Sequence, residues 1–509
     1  MEHNERKSGA ILSYIAITIN TLIQLIYTPF LVKILGKSEY GLYSLVASII
    51  GYLTIFDLGF GNAIIVHGSK YKAEGKTEEE NRLYGMFKVV FIFIGIITSL
   101  IGIALYIFAN QLFSGTMTAF EINKMKIMML ILSFNLMITF AFNIYNSIII
   151  VNEKFSFQKI VSIICSLLKP LIMIPLLFLG FKSISLCIII TLINILTVIL
   201  NYLYCKKKIK LTVKFTGFDK KLFKVIAGYS IWIFICTIVD KINWSVDNFI
   251  LGATVGTAAV AVYSIAATLN QLFINLSTAL SGIFLPKISK LVAKKASNDE
   301  LTNEFIKIGR LQFYIIFLMI SGFILFGKRF IELWAGSGYK TSYYVALILI
   351  IPLCVPLIQN LGLSIMQAKN KFKFKAVSTL IMAIFNVIIS IFLAKRYGAI
   401  GAAIGTGLAL IICNIIIMNI YYYRVIKINV IKFWNNIIRI TLPLALPIIL
   451  FIMFNKFVVL NGYMYLLINI STYTIIFSIT SYLFSMNKYE KKLINSIVSK
   501  LLRRDKYDR

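Results

Sequence analysis

YGLYSLVASIIGYLTIFDLGFGNAIIVHGSKYKAEGKTEEENRL, residues 40–83, contains the pattern that decides the fold. An apolar run from 41 to 67 ends in a basic turn with Lys70, Lys72 and Lys76. The acids Glu78, Glu79 and Glu80 follow, and a second apolar run begins at 87. About 20 apolar residues suffice to cross a bilayer as a helix, whereas a barrel strand needs only about 9–11. The runs here are helix-sized, and they continue along the whole chain of 509 residues, which is 59% hydrophobic with a mean hydropathy of +0.85. That composition excludes a soluble domain of this size. Fourteen spans are expected, at 9–32, 41–67, 87–109, 123–150, 159–181, 183–205, 225–251, 256–285, 311–331, 342–366, 376–394, 399–423, 437–459 and 463–486. The runs at 159–205 are nearly continuous and are divided by a turn at 180–183.

The opening stretch has a second copy. VAVYSIAATLNQLFINLSTALSGIFLPKISKLVAKKASNDELTN begins at Val260, and at a constant offset Tyr43-Ser44 overlays Tyr263-Ser264, Lys70 overlays Lys290, Ala73 overlays Ala293 and Glu80 overlays Glu300. Leu35-Gly36 is placed much like Leu251-Gly252. The expected fold is therefore an all-α integral membrane protein built from two parallel six-helix repeats and two C-terminal helices. The expected organisation is an N-terminal lobe 1–205, a basic linker 206–222, a C-terminal lobe 223–423, helices 13–14 within 424–486 and a basic tail 487–509. Parallel repeats place a site near mid-membrane between two halves that can rock against each other.

A net charge of +32 suggests a polyanion partner until the positions are mapped. With the N-terminus taken as cytoplasmic, 39 of the 52 Lys and Arg residues fall in or at the ends of inside segments and 11 on the outside. Only Lys169 and Lys241 lie within spans. This is the positive-inside pattern, repeated at each connection. It places both termini in the cytoplasm, explains the charge and argues against nucleic-acid binding. No cleavable signal peptide is expected at MEHNERKSGA. The six cysteines are scattered through apolar runs with no paired spacing. No GxxxxGK[ST] loop, metal-spaced histidine pair or Ser/His/Asp arrangement points to an enzyme.

Charges inside spans are costly, at least about 2.5–3.5 kcal/mol each at the centre, and mark function or pairing. IVDKINWSVDN, 238–248, puts Asp240, Asn243, Trp244 and Asp247 on one helical stripe, with Lys241 beside it. That face meets either another helix, as a structural ion pair, or a water-filled cavity. Asp57 lies within the second span and Lys169 in the fifth, followed by Pro170. Asn20 and Gln24 are one turn apart, Asn270, Gln271 and Asn275 share the eighth span, and Asn386, Thr406 and Asn414 lie further on. Lys169 and Lys241, one per repeat, suit an anionic head group; Asp57, Asn20, Gln24, Asn270 and Asn275 are the other cavity candidates. Asp240 and Asp247 could bind Na+ or carry H+. Gly401 and Gly405 have the GxxxG spacing of closely packed helices.

The segments GKSEYGLYSLVASIIGYLTIFDLGFGNAIIVHGSKYKAEG (36–75), DNFILGATVGTAAVAVYSIAATL (247–269), LPKISKLVA (285–293) and YGAIGAAIGTGLAL (397–410) resemble the Wzx-like polysaccharide flippases of the multidrug/oligosaccharidyl-lipid/polysaccharide (MOP) exporter superfamily. The order holds from about residue 8 to 423. The resemblance implies a MATE-like, V-shaped pair of lobes in a bacterial cytoplasmic membrane. It also implies alternating-access transfer of a polyprenyl-diphosphate-linked oligosaccharide from the inner to the outer leaflet, coupled to Na+ or H+. Implied partners are membrane lipids, a polysaccharide polymerase and glycosyltransferases. A coupling site using Asp240 or Asp247 with Asn386 and Thr406 would fit helices 7, 11 and 12. No arginine lies mid-span, unlike the lipid II branch. A cation-coupled multidrug exporter of the same fold, or a non-transport scaffold, are the alternatives; the paired lysines and the buried acids weigh against them respectively.

Overall fold

In lipid a backbone amide has no partner but its own chain, so an apolar run closes its hydrogen bonds as a helix and stays helical until a residue forces a turn. The computed structural model describes residues 2–211, 213, 215, 217–293, 296–369, 371–455 and 462–504. The side chains of some helical positions, Asp240, Asn243 and Trp244 among them, lie outside that description. Among the described residues there are helices and no strands.

The order is α1 (Glu2–Leu53), a 3-10 turn (Thr54–Asp57), α2 (Phe60–Ala73), α3 (Thr77–Phe113), α4 (Ala119–Val151), α5 (Phe155–Phe178) and α6 (Ser183–Tyr204). Then come α7 (Lys220–Thr254), α8 (Thr257–Ala293), α9 (Asn298–Trp334), α10 (Thr341–Ile358), α11 (Asn360–Ala368), α12 (Phe372–Leu410), α13 (Met418–Tyr421), α14 (Val430–Asn455), α15 (Gly462–Thr480) and α16 (Lys488–Arg504). Among the described residues, eleven helical segments are long and apolar enough to cross a bilayer. Two of them, of 63 and 54 residues, have length for two crossings each and contain a glycine with non-helical backbone angles, Gly36 at φ 77° and Gly398 at φ 59°. At the second turn a Cβ on Gly401 would lie 2.1 Å from the Leu393 carbonyl oxygen, so the first glycine of the GxxxG pair lets the two arms close on each other. The turn expected at 180–183 is present, with Gly180 at φ 89° between α5 and α6.

The second span differs from the uninterrupted run expected at 41–67. It breaks at Asp57, where Leu58 (φ 53°) and Gly59 (φ 73°) are both left-handed before α2 begins. The Asp57 carboxylate accepts backbone hydrogen bonds from Gly59 and Gly61 and a third from Asn143 Nδ2 at 3.0 Å. These partners satisfy amides that the break leaves without helical acceptors, as an N-cap does.

Contacts gather the chain into two compact units, Met1–Ile265 with Asn386–Ala402, and Ala266–Phe385 with Ala403–Arg509. Within the first unit, connections gather at two ends. At one, Lys72 bonds Asn152, Lys154 pairs with Glu5 at 3.9 Å, and Arg82 pairs with Asp219 at 3.7 Å. At the other, Ser38, Thr118 and Thr257 share the Glu121 carboxylate, Ser183 donates to Glu39, and Thr116 donates to the Gly252 carbonyl. Between the ends, α3 and α4 pack closely where Gly95 meets Met137 and Gly102 meets Ser133, since a Cβ on either glycine would lie 2.9 Å or less from that neighbour. Outward-facing Phe93, Leu171 and Leu192 are largely exposed, as lipid-facing side chains must be.

In the second unit, Gly309 on α9 accepts the Phe433 ring of α14, since a Cβ there would lie 2.5 Å from it. Tyr473 on α15 donates to Ser321 Oγ on α9 at 2.6 Å. The segment that reads as a plain basic tail is, from Lys488 to Arg504, a helix.

Candidate functional site

Ser162, Cys165, Ser166 and Lys169 recur at three- and four-residue intervals on α5, so they form one face. Ile190, Ile193, Asn194, Thr197 and Asn201 do the same on α6. These two faces line a cavity of about 430 Å³ in the first unit, completed by Asn146 from α4 and by Gln158 and Lys159 at the start of α5. The volume is in the range of small-molecule sites, roughly 300–1,000 Å³. The lining carries two cations, amides and hydroxyls, and no carboxylate.

The polar groups are held from behind. Asn194 donates to Asn135 Oδ1 at 2.7 Å and to Thr139 Oγ1 at 2.6 Å, both on α4. Gln158 donates to Asn146 Oδ1 at 2.8 Å. Thr197 donates to the Ile193 carbonyl at 2.9 Å and lies 3.2 Å from Cys165 Sγ. The Asn201 side-chain oxygen is buried and has no partner among the described residues. Lys169, half-buried, sits ten residues beyond Lys159, about 15 Å further along the helix. Such a groove offers a cation at each end, with neutral donors and acceptors between. An anion about 4 Å from Lys169 gains on the order of 4 kcal/mol at an effective dielectric near 20. Hydroxyls match the amides.

Of the residues singled out from the sequence, Lys169 lies in this cavity. Lys241 is half-buried on α7. Asp57 is engaged at the helix break. Asp247 is 1% exposed and accepts a hydrogen bond from Tyr263, so it is packed in protein and does not face an open cavity. The Asp240 side chain lies outside the described residues. Asn386 is fully buried and accepts from Ser390 at 2.8 Å; Thr406 is 3% exposed. Asn20 is exposed and Gln24 half-buried. Asn275 accepts from Gln271 at 2.8 Å. Asn270 is 1% exposed, and neither of its amide atoms has a partner among the described residues. No cluster of three His, Cys, Asp or Glu side chains that could hold a metal occurs among the described residues.

Sequence reasoning missed Asn146, Ser162, Ser166, Asn194, Thr197 and Asn201. Single Asn, Ser and Thr residues in spans usually bond neighbouring helices, yet their helical spacing was the available signal. It also missed a network at the opposite end. There Glu121 accepts from Ser38, from the backbone and hydroxyl of its own capping residue Thr118, and from Thr257 at 2.9 Å. Glu39 pairs with Lys124 and accepts from Ser183. Thr116 donates to the Gly252 carbonyl at 2.7 Å.

Long apolar helices, connections gathered at two ends and a polar groove between two of the helices define a multi-pass membrane protein. The chain belongs to the family of polysaccharide biosynthesis proteins, which it matches over residues 30–344. A Shigella flexneri protein named "Putative O-antigen transporter" is 24% identical over 421 residues, covering 79% of this chain and 94% of that one. The fold is similar to that of the structure described as the lipid II flippase MurJ, inward closed conformation (TM-score 0.72, 19% identity, 96% of this chain and 99% of that one). It is also similar to an inward-facing multidrug resistance MATE family transporter of the MOP superfamily (TM-score 0.61, 16% identity, 78% and 93%). The expected kinship with proteins of polysaccharide biosynthesis holds, and the structural likeness bears out the expected MATE-like, all-helical fold.

Proposed function

We propose that this protein moves polyprenyl-diphosphate-linked oligosaccharide units from the inner to the outer leaflet of a bacterial cytoplasmic membrane, with both termini cytoplasmic. The observation that carries the reading is the groove between α5 and α6, where Lys169 stands at mid-helix among amides and hydroxyls, with no acid among the described lining residues. The head group of such a lipid is a diphosphate joined to sugar. Lys169 serves as the point charge for the diphosphate, and Asn146, Asn194 and Asn201 exchange hydrogen bonds with sugar hydroxyls. The polyprenyl tail stays in the bilayer, where it needs no polar replacement for water. The matched O-antigen transporter supports a glycan cargo.

Transport uphill needs a coupled ion, and the acids of α7, Asp240 and Asp247, are the proposed carriers of Na+ or H+. Polysaccharide polymerase and glycosyltransferases are the proposed neighbours, supplying and consuming the lipid-linked unit.

The test is made in cells lacking the protein, by mass spectrometry of extracted lipids alongside the surface glycan. Accumulated polyprenyl-diphosphate oligosaccharide with lost surface polymer is the expected result. Unchanged glycan with new sensitivity to cationic drugs would overturn the reading in favour of a multidrug exporter.

A further inference from the structure

The sequence of α16, KYEKKLINSIVSKLLRR, alternates in a helical period. Leu493, Ile494, Ile497, Val498 and Leu501 fall within an arc of about 140° at 100° per residue, which Arg504 alone of the basic residues also enters. Lys488, Lys491, Lys492, Lys500 and Arg503 fall on the remaining arc. Glu490 projects from the middle of the apolar arc, and its fate fixes which way that arc points. It is 1% exposed and receives Arg310 of α9 in two parallel bonds, Nε to Oε1 at 2.6 Å and Nη2 to Oε2 at 2.9 Å. The same carboxylate accepts from the Asn487 backbone at 2.8 Å, while Asn487 Oδ1 caps the Glu490 amide at 2.9 Å. Tyr314 donates to the Ser485 carbonyl at 2.8 Å, and Lys307 lies 3.7 Å over the Tyr489 ring. The first turn of α16 is thus clamped to α9 and to the end of α15. Beyond it, Leu493 and Ile494 are half-buried, while Lys488, Lys492, Asn495, Ser496 and Ser499 are exposed.

We propose that α16 lies along the membrane surface as a binding element for anionic phospholipid, and that the Arg310–Glu490 clamp transmits its engagement to α9. The charge pattern selects the occupant. Because Glu490 turns the middle of the apolar arc against α9, the cationic arc is left outward, and basic residues clustered beside a membrane-crossing segment attract negative head groups. The chain is itself embedded in a bilayer, and α16 follows directly on its last membrane-crossing segment. A buried, bidentate pair holds two helices in one relative orientation, so a change in how α16 sits is felt at the start of α9.

The test uses the full-length protein in nanodiscs of phosphatidylcholine alone and of phosphatidylcholine with about a third phosphatidylglycerol, with amide hydrogen exchange read over α16 and over the first turns of α9. Exchange beyond Leu493 slows by about tenfold in the anionic discs, and high salt removes the difference. The exposed-face variant Lys488→Gln/Lys492→Gln, which spares the clamp, exchanges alike in both discs. Equal exchange of the wild-type helix in the two discs, whether fast or slow, overturns the proposal. For the clamp, residues 298–310 gain protection in anionic discs in the wild type and not in Glu490→Gln. A response of α9 that persists in Glu490→Gln, or none in the wild type, overturns transmission.

Discussion

Thr257 donates its hydroxyl to Glu121 Oε1 over 2.9 Å, across 136 residues of sequence. The bond ties the start of α8 to the start of α4, at the end of the first unit where Ser38 and Thr118 join the same carboxylate. A hydrogen bond to a charged group contributes about 1.5–3 kcal/mol. Removing the hydroxyl by Thr257→Ala therefore speeds amide exchange at 252–257 by about tenfold or more. Exchange unchanged from wild type would show that the carboxylate does not hold this end closed.

Close backbone approach at the same end gives a sharper steric prediction. A Cβ on Gly41 would lie 1.9 Å from the Thr257 carbonyl oxygen, and backbone cannot swing away as a side chain can. Gly41→Ala lowers thermal stability by about 1–3 kcal/mol, the range for overpacking. Gly51, on the same helix, has nothing within 4 Å of its missing Cβ. Gly51→Ala is therefore neutral or stabilising by about 0.5–1 kcal/mol. Thermal unfolding of the two purified variants separates the cases.

Arg310 and Glu490 form the buried ion pair of the second unit, at 8% and 1% exposure. Removing one partner leaves a buried charge alone and costs about 3–5 kcal/mol. Glu490→Leu is markedly destabilised, and Arg310→Met/Glu490→Leu recovers much of the loss, because the desolvated charge is gone from both sides. A double variant no more stable than the single one would contradict this.

Asp219 caps α7, accepting from the amides of Lys221 and Leu222 at 3.0 Å each. The Leu222 amide, aided by Arg82 against a small opposing effect of burial, holds its carboxyl below the usual carboxylate range. A carboxylate depressed in the folded state stabilises above its unfolded pKa, about 3.9, and that contribution fades as pH falls through the lower folded value. The Tm gap between wild type and Asp219→Ala is therefore full at neutral pH and narrows below about pH 4. A gap independent of pH would assign the effect to something other than the charge.

Much of the fold was legible because lipid imposes a coarse code. Apolar length gives the helices. Lys169 was legible for the same reason, since a base amid apolar residues stands out. The break at Leu58–Gly59 was not, because DLGFG reads as a continuation of an apolar run until the backbone shows two successive left-handed residues. Glu39 and Glu121 carried no signal in the sequence, because their partners Ser183 and Thr257 lie 144 and 136 residues away. Asn194 and Asn201 were hidden by company, as lone amides in spans are common and only the opposing face of α5 gives them a shared purpose. Glu490 looked like one charge in a basic tail until Arg310 was found against it.

The central claim is that Lys169 holds the diphosphate of a lipid-linked sugar during transfer. The most direct measurement is in proteoliposomes containing extracted polyprenyl-diphosphate oligosaccharide, with transfer between leaflets followed by access of an added, membrane-impermeant glycosidase. Wild-type protein makes the inner-leaflet fraction accessible, and Lys169→Gln, at equal reconstitution and thermal stability, slows this at least tenfold, as loss of about 1.4 kcal/mol or more of ionic binding requires. Equal transfer by Lys169→Gln and wild type would contradict the account.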